Sequence, residues 1–221
     1  MQLVGDWTCK VSDILNCLDI DKNRDFKKIP NVYLDGPYGA PAEDFYNFKV
    51  AVLISAGVGV TPSASLLKSV WYKYYRKSPM NLEKLYFIWV VRDKKAFSWF
   101  KSLLISLEKT IPEQLLEIHT YLTCNMSIHG VQNIFSNMKS ELDPISELVI
   151  INLYKKTGCN YGRPDWKKIF NNIRVQNISF NSKRKIGVFY CGPPALAKII
   201  DIETKNVTDD HLQFILKKEH F

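Results

Sequence analysis

From Lys49 onward, short apolar runs alternate with stretches whose apolar positions recur every three or four residues. Val50-Ala51-Val52-Leu53-Ile54 is continuously apolar and predicts a strand buried on both faces. Residues 63–77 place Ala64, Leu67, Val70, Trp71 and Tyr74 at helical spacing. Leu85 to Val91 reads as a second strand, and 95–109 as a second helix with Phe97, Phe100, Leu104 and Leu107 on one face. Leu116 to Thr123 alternates as a third strand. Residues 124–161 break the rhythm and predict a polar insertion with one or two helical turns. Gly162 to Trp166 opens a helix to about Ile173, Ile186 to Tyr190 is a fourth strand, and Ala195 to Ile200 is helical. Leu212 to Leu216 is the last strand. Strand–helix alternation of this kind predicts an α/β fold with a parallel sheet and crossover helices. Trp71, Trp89, Trp99 and Trp166 fall at core positions.

The first 48 residues do not share this pattern. Leu3-Val4 is a strand stub, Gly5 to Thr8 caps a short helix over 11–18, and Val32 to Leu34 is a short strand before Asp35-Gly36-Pro37-Tyr38-Gly39. This is too little chain for a domain, and it predicts the end of one that begins upstream. The expected organisation is a remnant over 1–48 and a nucleotide-binding α/β domain over 49–221.

Composition narrows the classes. Hydrophobic residues make up 46% and aromatics 13%, which argues against disorder. No apolar run reaches the roughly 18 residues of a membrane helix, and Met1 opens no signal-peptide pattern, so the chain is expected to be soluble as given. The net charge of +8 comes from scattered lysines, Lys183-Arg184-Lys185 being the tight cluster. A solvated basic surface explains this best, with anionic lipid or a phosphorylated cofactor next; no nucleic-acid module pattern is present. The five cysteines lack C-x-x-C spacing and the four histidines lack ligand spacing, so no disulfide framework and no metal site are expected.

Candidate chemistry gathers where the first strand ends. Gly57-Val58-Gly59-Val60-Thr61-Pro62 places two glycines and then a proline suited to a first helical position. Free N–H groups at such a helix start suit a phosphate, although a tight strand–helix turn without a ligand satisfies the same residues. Ligands in open parallel sheets bind at the carboxyl ends of strands, and the glycine loop, Arg92, Thr123 and Cys191-Gly192 all fall there. Arg92 and Arg163 suit a 2′-phosphate, and a basic rather than acidic residue after the second strand favours NADPH over NADH. Cys191 reads equally as a small buried thiol or as a wall for a nicotinamide ring. Phe221 either caps the core or offers a flat face for a flavin.

In this order, Val4-Gly5-Asp6-Trp7-Thr8, Asp35 to Gly39, Gly57 to Pro62, Ser69 to Tyr74, Trp89-Val90-Val91-Arg92-Asp93, Gly162 to Trp166, Cys191-Gly192-Pro193 and Glu219-His220-Phe221 resemble the carboxy-terminal dehydrogenase region of the NADPH oxidase family, nearest its phagocyte-type, superoxide-generating members. The resemblance implies a ferredoxin–NADP reductase-like fold, with a flavin-binding β-barrel followed by an NADPH-binding domain. It implies that Gly57, Val58, Gly59, Thr61 and Pro62 hold the pyrophosphate, and that Arg92 and Arg163 face the 2′-phosphate. Thr61 and Cys191, with Gly192 and Pro193, would lie near the nicotinamide; Phe221 would shield the flavin, and Glu219 shares the terminal signature. Implied cofactors are NADPH and FAD, with haem in a membrane portion that this sequence lacks. Implied partners are cytosolic activator proteins and a small GTPase, at the cytosolic face of a membrane.

The chain departs from that family in lacking membrane helices, haem-ligating histidines and the upstream flavin motif, and Gln2 stands where relatives carry a basic residue. The expectation is a fragment that binds NADPH weakly, holds FAD poorly and makes no superoxide alone. The alternatives are a ferric-chelate or flavin reductase of the same fold, or a non-catalytic docking module that uses residues 124–161 and the basic surface.

Overall fold

A computed structural model describes residues 6–15, 33, 35–36, 42–92, 95–123, 159–178 and 183–219. The chain divides between Gly39 and Ala40 into two units. In the first, helix α1 spans Asp6–Leu15, with Asp6 in its first turn where a carboxylate favours the helix dipole. The sequence pattern starts this helix at about residue 11; it begins five residues earlier, with Asp6 already helical. Tyr33 is 92% exposed and belongs to no strand, and the rest of the expected Val32–Leu34 strand lies outside the described residues.

The second unit is a six-stranded, wholly parallel sheet in the order β4-β3-β2-β1-β5-β6. The strands are β1 Val50–Ala56, β2 Lys84–Val91, β3 Leu116–Leu122, β4 Cys159–Tyr161, β5 Arg184–Cys191 and β6 Leu212–Glu219. The helices are α2 Val60–Tyr75, α3 Lys95–Thr110, α4 Trp166–Asn177 and α5 Pro194–Val207. β1 is apolar throughout because both of its faces are covered. Ala51 and Leu53 pack with Leu67 and Val70 of α2 and Leu104 and Leu107 of α3. Val50, Val52 and Ile54 pack with Phe170 of α4 and Ile200 of α5 on the opposite face. Strand pleating sends successive side chains to opposite faces, so one apolar run feeds two cores.

Residues 42–48 belong to this unit and not to the N-terminal remnant as the sequence pattern suggests. A 3-10 turn over Glu43–Asn47 leads into β1, and Phe45 is fully buried, with its ring 5.5 Å from that of Phe189. Phe48 meets the same ring edge-on at 5.8 Å. Burial of two aromatic side chains, each contributing about 2–3 kcal/mol, draws the turn into the α/β core.

Other expected elements differ mainly in extent. α4 and α5 run to Asn177 and Val207, past the expected ends near Ile173 and Ile200. β4 lies inside the expected insertion over 124–161 and adds a strand that three residues are too few to announce; residues 124–158 lie outside the described residues. Trp89 and Trp166 are buried and Trp71 is half-buried, as expected for core positions, whereas the side chain of Trp99 lies outside the described ones.

From β1 the chain steps outward through β2, β3 and β4, then returns to place β5 on the other side of β1. The reversal leaves a crevice at the carboxyl ends of β1 and β5, the topological switch point where ligands settle in sheets of this kind.

Candidate functional site at the carboxyl edge

Two strand tips meet at this crevice. Ser55 near the end of β1 pairs with Cys191 at the end of β5. A 3-10 turn over Gly57–Gly59 then carries the chain into α2. Gly57 has φ +58, a left-handed conformation that costs a side chain about 1 kcal/mol or more, and a β-carbon there would meet nothing within 4 Å. Gly59 serves a different need. A β-carbon on it would stand 2.3 Å from the carbonyl oxygen of Cys191 and 2.7 Å from its carbonyl carbon. The second glycine of the loop therefore lets β1 and β5 tips close on each other. Gly192 is likewise set by internal packing, since a β-carbon there would lie 2.8 Å from Ala56 Cβ and from the Tyr190 hydroxyl.

α2 begins at Val60, so Pro62 is its third residue and not its first. The missing N–H still falls in the first turn, where backbone donors have no intrahelical acceptor, so the proline fits. Gly59 offers no side-chain cap, and the Thr61 hydroxyl donates to Val58 O at 3.1 Å. At the start of α5 Pro193 offers no side-chain cap either. α4 differs, because the Asp165 carboxylate accepts from the Lys168 N–H at 3.0 Å. No side chain caps the two helix starts flanking the crevice, whereas the start of α4 is capped by Asp165. At those two starts the prolines and the Val60 and Leu196 bonds to Val58 O and Pro193 O leave the Thr61 and Ala195 amides for an anion.

Buried side chains hold this geometry. Ser55 Oγ donates to Ser63 Oγ at 2.7 Å, joining β1 to α2 beneath the loop. The Tyr190 hydroxyl donates to Pro193 O at 2.7 Å and fixes the turn after Cys191. The Trp89 indole N–H donates to Gly57 O at 3.2 Å. Sequence reasoning takes Trp89 as core alone; its apolar surroundings give no sign of the polar end, although a buried indole needs an acceptor.

Cys191 is 3% exposed, and burial together with the Glu219 carboxylate pushes its thiol up to about 11. The thiol is neutral near pH 7, which makes it a poor nucleophile and a suitable wall. Glu219 pairs with Cys191 in the β5–β6 ladder. A small crevice is lined by Pro62, Ser63, Cys191, Lys217 and Glu219, bringing the start of α2 and the end of β6 to the same place. Phe221 lies outside the described residues.

Arg92 follows β2 and Arg163 follows β4, both exposed and both at the carboxyl edge. The ladder continues just past the strand ends: Thr123 N–H donates to Val91 O at 2.8 Å and Gly162 N–H to Leu122 O at 2.9 Å. With β3 between them, the two arginines spring from strands roughly 10 Å apart. Among the described residues neither guanidinium has a carboxylate partner. The amino edge of the sheet offers a contrast. A groove there is lined by Glu83, Lys84, Tyr86, Glu117 and Arg184, but its cations are matched. Lys49 and Arg184 lie 2.9 and 3.8 Å from Glu83, and Lys84 lies 3.1 Å from Glu117. At the carboxyl edge the exposed Arg92 and Arg163 thus stand ready for a phosphate, beside helix starts that no side chain caps.

Residues 48–204 match the family described as the ferric reductase NAD-binding domain. The chain is similar to human NADPH oxidase 3, 36% identical over 208 residues, covering 90% of this chain and 34% of that protein. It is 32% identical over 233 residues to a superoxide-generating NADPH oxidase heavy chain of Dictyostelium discoideum, covering all of this chain and 42% of that protein. A solved structure, the cytochrome b5 reductase domain of Ulva prolifera nitrate reductase, aligns with a TM-score of 0.43 at 14% identity over 76% of this chain and 49% of that one. The chain thus spans between a third and a half of the length of these oxidases.

Proposed function

The chain belongs to the ferric reductase NAD-binding domain family, and from that premise we propose that it is the NADPH-binding dehydrogenase portion of a superoxide-generating oxidase. The observation that carries this reading is the joining of Gly57–Gly59 to Cys191–Gly192 at the switch point, with Arg92 and Arg163, which have no carboxylate partner among the described residues, along the same edge. In this reading the pyrophosphate lies on the loop amides and the start of α2, with Val58, Thr61 and Pro62 around it. Arg92 and Arg163 take the adenosine 2′-phosphate, which distinguishes NADPH from NADH. The nicotinamide lies toward Cys191, Gly192 and Pro193, where an uncharged thiol forms one wall and Thr61 and Glu219 stand nearby. NADPH supplies a hydride when bound; the protein orients the ring and keeps water from it.

FAD as acceptor, and haem and oxygen beyond it, belong to the same proposal. So do Phe221 as a shield for the flavin, the cytosolic face of a membrane as location, and activator proteins and a small GTPase as partners. Among the described residues no helix is long and apolar enough to cross a membrane. The N-terminal remnant is proposed as the end of the flavin barrel. Calorimetric titration of the chain with NADPH and NADH tests the reading. Weak saturable binding that prefers NADPH is expected, and heat signals without saturation, or equal affinity for both, would sink it.

The family's ferric reductase name favours a second reading, in which the same nucleotide edge serves a ferric-chelate acceptor. Acceptor specificity of the longer protein separates the two. Superoxide formation independent of iron chelates supports the oxidase, and chelate-dependent turnover supports the reductase.

A further inference from the structure

We propose that Trp89 is a positioning residue for the dinucleotide, setting the direction of the loop amide that meets the pyrophosphate; the inference rests on the carboxyl-edge reading above. Trp89 is fully buried in β2 and never reaches the ligand side. Its ring is held edge-to-face against Phe100 at 5.6 Å and 85°. From there its N–H reaches across to the neighbouring strand tip and donates to Gly57 O at 3.2 Å. The β1–β2 register brings them together, because Ser55 lies beside Trp89 and Gly57 follows two residues later.

The consequence follows from peptide geometry. In a trans peptide the carbonyl and the next N–H point in opposite directions. With Gly57 O turned toward Trp89, the Val58 N–H turns away from the core. Val58 is 44% exposed and the space over Gly57 is open, so that N–H faces the carboxyl edge. The positive φ of Gly57 allows this turn, and the Trp89 bond selects it. Arg92 and Arg163 approach from the ends of β2 and β4 without this bond, so the adenosine phosphate and the pyrophosphate depend on different supports.

That separation supplies the test. In the full 221-residue chain, Trp89→Phe keeps a ring against Phe100 and removes the donor. Titration uses NADPH and adenosine 2′-monophosphate, a probe without pyrophosphate. NADPH affinity is expected to fall about five- to tenfold, with the monophosphate unchanged within about twofold. An unchanged NADPH affinity, or an equal loss for both probes, would overturn the proposal. Should the variant not fold, the Val58 amide resonance of the unaltered chain decides. It should shift with NADPH and with inorganic pyrophosphate but not with the monophosphate, and a silent Val58 overturns the proposal. An unaltered chain that binds the monophosphate but not NADPH also overturns it. One that binds neither removes the carboxyl-edge reading itself.

Discussion

A β-carbon on Gly59 would stand 2.3 Å from the carbonyl oxygen of Cys191, so the tips of β1 and β5 touch through bare backbone. The obstacle is main chain, which no side-chain rotation can relieve. Gly59→Ala must push the two strands apart at the switch point. We expect it to cost about 3 kcal/mol in urea unfolding and to abolish nucleotide binding. Gly57→Ala has space but the wrong φ, and should cost only about 1 kcal/mol. Equal costs for the two variants would contradict the packing argument.

Arg163 leaves β4 between Gly162 and Pro164 and has no carboxylate partner among the described residues. Arg163→Ala should weaken NADPH about tenfold and leave NADH unchanged, since only NADPH carries the 2′-phosphate. Arg163→Lys should recover part of the loss, because a single charge replaces a forked one. Parallel loss of both nucleotides would place Arg163 elsewhere in the site or assign it to folding.

Alkylation separates the thiols. Cys9 is exposed and Cys191 is buried with its thiol raised to about 11. Mass spectrometry after iodoacetamide at pH 8 should show Cys9 modified well before Cys191. The same shift bears on stability. The folded state favours the protonated thiol, so its contribution is complete below pH 9 and is lost as pH rises through about 11. Cys191→Ala should soften the decline in melting temperature over that window. Rapid labelling of Cys191 at neutral pH would contradict the burial argument.

The acid limb has a different source. His119 at 2.7 Å and Lys84 at 3.1 Å hold the Glu117 carboxyl down to about 2, with His119 the larger cause. The unfolded chain takes up this proton first as pH falls, so stability present above pH 4.5 is lost toward about 2. Glu117→Gln should lower stability at pH 7 and flatten the acid limb. An unchanged slope below pH 4.5 would show that other carboxylates govern it.

The fold was legible because both cores draw on one continuous run, Val50–Ile54, whose flanking helices carry their own periodicity. The carboxyl-edge gathering of Gly57–Pro62, Arg92 and Cys191 was legible for a similar reason, since a parallel sheet sends every strand end the same way, whereas Arg163 reaches that edge from β4, a strand too short for the pattern to announce. What the sequence hid was tertiary. Gly59 reads as ligand clearance but is fixed by the Cys191 carbonyl on a strand far along the chain. Trp89 reads as core and also holds the loop, because its N–H is invisible to periodicity. Phe45 and Phe48 precede the first predicted strand and gave no periodic signal, yet they pack on Phe189 in the α/β unit.

In the function proposed above, a reduced pyridine dinucleotide lies along the carboxyl edge, across the β1–β5 crevice. Amide hydrogen exchange with and without saturating NADPH tests it most directly. Slowed exchange is expected over Gly57–Ser63, at Gly162-Arg163 and at Cys191-Gly192, with Glu83–Lys84 and Glu117–His119 at the amino edge unaffected. Protection confined to the amino edge, or none at the glycine loop, would contradict it.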